Sequence, residues 1–409
     1  MKNYSRFNGM VDEIREAMLE VDRKQAMESA IDFWANRNEK FTKNTSTGRY
    51  YLNSFFPSFP SLAWKTLSEA YAKIAYEHKR IPIQADIAIT GNCHCNCWHC
   101  FRNKHNNQSL SLTELNECFD ALKKLGTCTV GLTGGEPMLH PQIKEIITSI
   151  PETMEGQLYT TGHGIDMNFV EFLNQSRVTR CIISLDHYNE ADANRLRHYD
   201  SAFSDAINAI NCLHHSNIYT AVTVCVTDEL LEEGKLEKYF SFVSKLPINE
   251  IRIVLPIPQG KLEGTDVRNV YANAIRKIKS FKKENALTEN TPYVLNFCEF
   301  ESSSYIGCSA GANYISINND GYVLPCVAVP LAFGNIKETP LTDIFNNMEQ
   351  YFHDSGRVCY GKQIGKVMSR NSHIDTSVSP LPINISTDLA SQCIVQGKRA
   401  AFFEHAKTY

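Results

Sequence analysis

The chain has 409 residues, 43% hydrophobic and 21% charged, a globular composition long enough for one large core or two to three domains. Forty-one basic against 45 acidic residues give a net charge of -4, which excludes an overall basic field for collecting nucleic acid or an anionic membrane. The opening residues MKNYSRFNGMVDEIREAM lack the apolar stretch of a signal peptide, and no run approaches the ~18 apolar residues of a membrane span, so a cytoplasmic protein is expected.

Residues 1–80 carry helical periodicity, with Leu67, Tyr71 and Ile74 on one face after the loop-like FFPSFPS. A helical N-terminal extension is expected, without a strand-rich module. From Gln84 the pattern becomes short β-like runs alternating with amphipathic helices. The runs are QADIAIT, TCTVGLT, GQLYT, RCIISLD, YTAVTVCV and EIRIVLP. Ser111 with Glu114 forms a capping box ahead of Leu115, Phe119 and Leu122, and Ala206, Ile207, Ile210 and Leu213 form a second apolar stripe. Right-handed crossovers curl six such units into an open α/β barrel, a partial (β/α)6 TIM-like fold over 81–260. A Lys-rich helical linker follows over 261–297, and a small cysteine-bearing domain over 298–409.

The first strand runs directly into CHCNCWHC, residues 93–100, at the strand end where such barrels place chemistry. Clustered cysteines in a reducing compartment are metal ligands or catalytic thiols before they are disulfides. Cys93, Cys97 and Cys100 have the spacing C-x3-C-x2-C, and a loop of this length wraps three thiolates around one face of an iron–sulfur cube, leaving one iron open. Zinc normally takes paired C-x2-C units, or one such unit with paired histidines, at spacings this loop lacks. Cys95 is assigned no ligand role, and His94 and His99 are read as ordinary loop histidines.

Three further motifs follow at strand ends: GGEP (Gly134, Gly135, Glu136, Pro137), YTTGHG with Thr161, and ISLDH with Ser184 and Asp186 on one side of the strand. Together with the cysteine spacing they resemble the radical S-adenosylmethionine (radical SAM) superfamily. The resemblance implies that Cys93, Cys97 and Cys100 hold a 4Fe-4S cluster whose open iron binds S-adenosyl-L-methionine. It further implies Phe101 beside the adenine, the GGEP turn and the Thr161 segment around the aminoacyl group, Ser184 and Asp186 at the ribose, and Arg197 at the carboxylate, with Arg195 as the competing choice. The family's chemistry is reductive cleavage to a 5'-deoxyadenosyl radical that abstracts a substrate hydrogen. Thr161 replaces the family's Asn, and His187 its glycine after the Asp.

The C-terminal segment, GCSAG, NDGYVLPC, FGNI and LTDIF, resembles the SPASM and twitch extensions of such enzymes. That resemblance implies one auxiliary 4Fe-4S cluster on Cys308, Cys326, Cys359 and Cys393. The dense cysteine run for a second auxiliary cluster is missing. Cys298 is read first as a buried strand thiol and could replace either late cysteine. Cys118, Cys128, Cys181, Cys212 and Cys225 read as core. The leading expectation is a radical SAM oxidoreductase acting on a small molecule or metabolite, with an external one-electron donor such as flavodoxin or ferredoxin. The alternatives are a maturase of a ribosomally made peptide, against which the helical N-terminus counts, and a non-catalytic iron–sulfur or zinc protein. No catalytic residue beyond these is assigned.

Overall fold

The protein is seen in a computed structural model that describes residues 4–102, 106–285, 291–354, 358–371, 374–393 and 399–406. The first module differs from the helical extension expected. Strands β1 (Tyr4–Asn8), β2 (Lys40–Asn44) and β3 (Tyr50–Tyr51) form an antiparallel sheet in that order, with helices α1 (Asp12–Met18) and α2 (Lys24–Ala35) inserted between β1 and β2. The strands are short and mix basic and apolar residues, and β1 and β2 pair across two helices, so local periodicity carries little trace of them. Helix α3 (Leu62–Glu77) does have the expected face, and starts where the Ser61 hydroxyl accepts the Trp64 N–H at 3.0 Å. Trp34, Phe41, Phe59, Trp64 and Tyr71 build this module's aromatic core.

All six predicted runs are parallel strands paired in chain order: β4 (Gln84–Thr90), β5 (Thr129–Gly134), β6 (Glu155–Thr160), β7 (Val178–Ser184), β8 (Tyr219–Cys225) and β9 (Glu250–Val254). Helices α4 (Leu112–Leu125), α5 (Ile143–Thr148), α6 (Met167–Asn174), α7 (Glu190–Arg197), α8 (Ala202–Leu213) and α9 (Lys235–Val243) fill the crossovers. The α4 capping box is formed on both sides, with Gly126 closing the helix at positive φ. After α10 (Arg268–Asn285) the chain adds β10 (Tyr293–Asn296) in parallel on β9, so the linker ends in a barrel strand; residues 286–290 of the linker lie outside the described residues.

Beyond α11 (Phe297–Phe300), β11 (Tyr314–Ile317) pairs in parallel with β4 at the other edge and turns back antiparallel into β12 (Val323–Leu324). The C-terminal domain is thus part of the barrel's sheet. It continues through α12 (Leu341–Asn347), α13 (Tyr360–Arg370), α14 (Ile383–Ser391) and α15 (Ala401–His405), and Phe402 and Phe403 of α15 pack in the N-terminal module's core. The division into four consecutive domains therefore does not survive in three dimensions: both chain ends share one core, and both sheet edges are strands from outside 81–260.

Strand alternation sorts the barrel's residues by chemistry. Ala85, Ile87, Ile89, Val130, Leu132, Ile183, Val222, Ile251 and Ile253 face outward into the helices' core. The opposite faces turn polar groups into the lumen, where Gln84, Asp86, Tyr159 and Arg252 touch one another. The lumen floor is the segment 53–58 from the N-terminal module. Ser54 donates its N–H at 2.7 Å and its hydroxyl at 2.5 Å to Glu250, and Ser58 does the same to Glu155 at 3.0 and 2.5 Å. Arg180, wholly buried, donates to the Phe56 carbonyl at 2.6 Å and pairs with Glu155 at 3.4 Å.

Candidate functional site

The loop 91–102 leaves β4 at the C-terminal rim and is fixed from three sides. Asn96 and Trp98 donate their N–H groups to the Arg197 and Leu196 carbonyls at the end of α7, both at 3.0 Å. Beneath it, Lys261 donates its N–H to the Cys100 carbonyl at 3.1 Å and its ammonium to the Asn96 carbonyl at 2.6 Å. Gly260 has φ +59°, and a Cβ there would sit 2.4 Å from the Cys100 carbonyl oxygen, so glycine permits this contact. Gly260 and Lys261 belong to the site although the sequence reading gave the PIPQG segment no role.

The thiols of Cys93, Cys97 and Cys100 converge closely enough to influence one another's ionisation, and the Cys95 thiol lies between Cys93 and Cys97 in hydrogen-bond contact with both. Cys97 is acidified to about 6, first by the Cys95 thiol that donates to it and then, against burial, by the guanidinium of Arg197. Arg197 stands 3.6 Å from the Cys97 sulfur. Three convergent soft thiols with a buried cation beside them fit an iron–sulfur cluster held on one face.

Beside the loop, the GGEP turn is pressed against 90–92. A Cβ on Gly134 would lie 2.2 Å from the Thr90 carbonyl oxygen and one on Gly135 2.1 Å from that of Asn92, so both positions need glycine. The two glycines thus let the turn close on the backbone of the cysteine loop's first residues. The Glu136 carboxylate, however, is already satisfied inside the protein: it accepts from the Thr160 hydroxyl at 2.6 Å and from the Thr161 N–H and hydroxyl, each at 2.8 Å. Burial raises its pKa while those donors oppose the shift. Glu136 and Thr161 thus lock two strand ends together, and Pro137 starts the one-turn helix that follows.

Asp186 and Arg197 similarly meet each other, where the sequence placed them separately at ribose and carboxylate. Their ion pair is 2.7 Å long and nearly fully buried, and Asp186 also accepts the Cys225 N–H at 3.0 Å. A buried carboxylate and guanidinium demand pairing, which spacing along a sequence cannot reveal. Arg195 is exposed and paired with Asp192 and Glu229, away from the site. Ser184 ends β7 half-buried at the rim, and Phe101 is half-buried beside Arg102. His187, where a glycine was expected, has no left-handed backbone; its ring accepts the Asn189 N–H at 3.0 Å and stacks on Tyr188. His94 packs on His163 and Tyr199, joining the loop to α8 through His163 and Asp205 at 3.0 Å.

A second thiol group lies near the β11–β12 hairpin, whose turn holds Asn318, Asn319, Asp320 and Gly321 at φ +92°. Cys308 and Cys359 are hydrogen-bonded, the Tyr360 N–H points at the Cys308 sulfur from 3.3 Å, and Cys359 caps α13. Cys359 is pulled down to about 6, first by the Cys308 thiol and further by the N–H groups of Lys362 and Gly361. Cys326 feels the Cys359 charge, as does Cys298, whose pKa burial raises to about 11. Cys393 is different: it is buried at the end of α14, packed in the apolar core, with burial alone acting on it. Cys298 therefore joins the group that the sequence reading completed with Cys393. Cys393 stays close to the group as well, since it and Cys308 both act on Tyr360.

Comparison with known proteins agrees with this geometry. The model of the radical SAM superfamily matches residues 87–238, and that of the SPASM iron–sulfur cluster-binding domain matches 308–359. The chain thus carries a radical SAM domain and, C-terminal to it, a SPASM domain, the domain pair of a radical SAM enzyme. AdoMet-dependent heme synthase of Methanosarcina barkeri is 23% identical over 288 residues, covering 64% of this chain and 82% of the relative. The antilisterial bacteriocin subtilosin biosynthesis protein AlbA of Bacillus subtilis is 23% identical over 273 residues, covering 65% and 60%. Among solved structures, Streptococcus suis SuiB bound to S-adenosylmethionine aligns with a TM-score of 0.57 at 16% identity over 74% of this chain and 79% of that one. Native anSMEcpe with bound AdoMet aligns at 0.56 and 18% identity over 80% and 98%, which shows the shared fold. Among the described residues no helix is long and apolar enough to cross a membrane.

Proposed function

We propose that the protein reductively cleaves S-adenosyl-L-methionine and abstracts hydrogen from a small molecule or metabolite, with oxidation, epimerisation or bond formation as the outcome. The observation that carries this reading is the convergence of Cys93, Cys97 and Cys100 at the barrel rim, against the glycine turn 134–135. Those cysteines would hold the catalytic 4Fe-4S cluster. Cys308, Cys326, Cys359 and Cys298 would hold the auxiliary one. Bound there, the catalytic cluster and S-adenosyl-L-methionine supply a 5'-deoxyadenosyl radical.

The protein's own residues position and seclude. The Gly134–Gly135 turn offers backbone carbonyls to an ammonium, with Glu136 and Thr161 fixing the turn. Ser184 keeps a hydroxyl at the rim for the ribose, and Phe101 an aromatic face for the adenine. Asp186 acts through Arg197, holding the guanidinium beside the Cys97 loop, where it stabilises thiolate charge and leaves an edge for a carboxylate. Substrate would enter the polar lumen above the plugged floor, between the two thiol groups and away from bulk water. An external one-electron donor such as flavodoxin or ferredoxin, and a cytoplasmic setting, complete the proposal.

A second reading, a maturase of a ribosomally made peptide, is favoured by the β1–β2–β3 sheet. The absence of strands in the N-terminus no longer counts against it. The printed descriptions of AlbA, a bacteriocin biosynthesis protein, and of SuiB with its precursor peptide SuiA support the same class.

Anaerobic reconstitution, followed by S-adenosyl-L-methionine and a strong reductant, should form 5'-deoxyadenosine in the wild type and none in Cys93→Ala. A reconstituted wild type that forms none would refute the enzyme reading.

A further inference from the structure

Helix α13 carries a charge pattern that its own stability does not explain. Lys362, Lys366 and Arg370 stand four residues apart along it, all exposed, and among the described residues none of them pairs with a carboxylate. Like charges at this spacing repel, and Lys362 adds a positive charge in the first turn, where the helix dipole favours a negative one. Gly361 and Gly365 weaken the helix further, and neither is there for want of room. A Cβ on Gly361 would meet the Cys359 sulfur at an ordinary 3.7 Å, and one on Gly365 would meet nothing within 4 Å. The stretch 358–371 holds these three cations and no carboxylate, in a chain whose net charge is -4.

The opposite face of α13 is already occupied. Tyr360 and Ile364 are buried in the core, and Val367 and Met368 pack against it. A basic amphipathic helix lies on a membrane by sinking its apolar face into lipid, so what α13 offers to the outside is its row of charges alone. The row begins at the second thiol group. Cys359, exposed, precedes the helix and is hydrogen-bonded to Cys308, and the Lys362 ammonium stands 4.8 Å from the centre of the Tyr271 ring on α10. Glycine at 361 and 365 keeps the helix surface beside the row low, so a partner seated on the charges comes close to Cys359.

We propose that Lys362, Lys366 and Arg370 are the docking surface for an acidic one-electron carrier protein, which they seat beside the second thiol group. The proposal rests on the reading of that group as the auxiliary cluster site of an enzyme served by an external electron donor. Charge complementarity selects the partner. A carrier whose redox centre is ringed by carboxylates is steered onto the row and released as salt screens the attraction, which suits a contact that must form and part at each transfer. Three exposed cations on one helix make a small interface, at the low end of the range that transient electron-transfer pairs use.

The test uses the reconstituted full-length protein and two acidic carriers, a flavodoxin and a ferredoxin, with binding followed anaerobically by isothermal titration calorimetry at low and moderate salt. At least one carrier should bind, and more weakly at the higher salt. Lys366→Glu and Arg370→Glu should each weaken that affinity by about 3- to 10-fold, and together by more, while Lys366→Arg keeps it. Lys65→Glu, at an exposed lysine on α3, reverses a charge elsewhere and should match the wild type. Failure of both carriers to bind, or binding that charge reversal at 366 and 370 leaves unchanged, overturns the surface. So does a row that holds RNA or anionic vesicles and neither carrier. Formation of 5'-deoxyadenosine is measured alongside with dithionite, a reductant that needs no docking. There Lys366→Glu and Arg370→Glu should match the wild type, and they should lag when the reduced carrier drives the reaction. Carrier binding with no product from dithionite leaves the surface standing and sinks the enzyme reading; product from dithionite with no carrier binding sinks the surface alone.

Discussion

Arg180 is the side chain that ties the N-terminal module to the barrel floor, and Arg180→Met isolates its contribution. The substitution keeps most of the buried volume but removes the donor to the Phe56 carbonyl at 2.6 Å and the counter-ion of Glu155 at 3.4 Å. Removing one partner of a buried pair costs about 3–5 kcal/mol. The lower end applies, because Glu155 keeps three donors: the Ser58 N–H at 3.0 Å, the Ser58 hydroxyl at 2.5 Å and the Thr179 hydroxyl at 2.7 Å. Arg49, half-exposed and 3.9 Å from Glu155, adds little compensation. The expected loss is therefore about 3 kcal/mol, a fall of roughly 1 M in the urea midpoint. Adding Glu155→Gln removes the stranded charge and should recover about 1–2 kcal/mol of that loss. Urea unfolding followed by circular dichroism of the apo single and double variants reads both numbers. A single variant within about 1 kcal/mol of the wild type, or a double variant less stable than the single one, would refute the reasoning that the charge pair holds the floor.

Cys93→Ala, Cys97→Ala and Cys100→Ala should each lose 5'-deoxyadenosine formation and about four irons, while Cys95→Ala keeps both, as read by chromatography and iron analysis; a cluster-deficient Cys95→Ala would move the ligand set. The full protein should hold about eight irons, and Cys298→Ala should lower the auxiliary cluster's occupancy or shift its electron paramagnetic resonance signal where Cys393→Ala does not. The opposite pattern would return the fourth position to Cys393. Gly131→Ala should destabilise the protein by about 1–3 kcal/mol through the collision with Asp86 and Tyr159, seen as a lower melting temperature. Ser111→Ala, which removes half of the α4 capping box, should cost about 1 kcal/mol in the same assay and leave iron content unchanged.

By itself the sequence determined the barrel strands, the loop that carries the catalytic cysteines and the glycine turn beside it. These are short-range features: period-two alternation marks a strand, three thiols within eight residues reach one ion cluster without help, and two glycines permit a backbone contact that any Cβ forbids. Tertiary structure decided the rest, in each case through partners far apart in the chain. Strands β1 and β2 exist because Phe7 finds Phe41 across two helices, and β11 because Tyr314 finds Gln84 at the barrel's open edge. Asp186 read as a ribose ligand until burial placed Arg197 on it, and Glu136 as a cofactor contact until Thr160 and Thr161 filled its lone pairs. Along the sequence Cys393 reads as a ligand and Cys298 first as a buried thiol; the fold brings Cys298 near Cys359 and buries Cys393 beyond the end of α14. A buried charge is settled by whichever opposite charge or dipole the fold brings within about 3 Å, and that choice is made between residues whose separation in sequence carries no information about it.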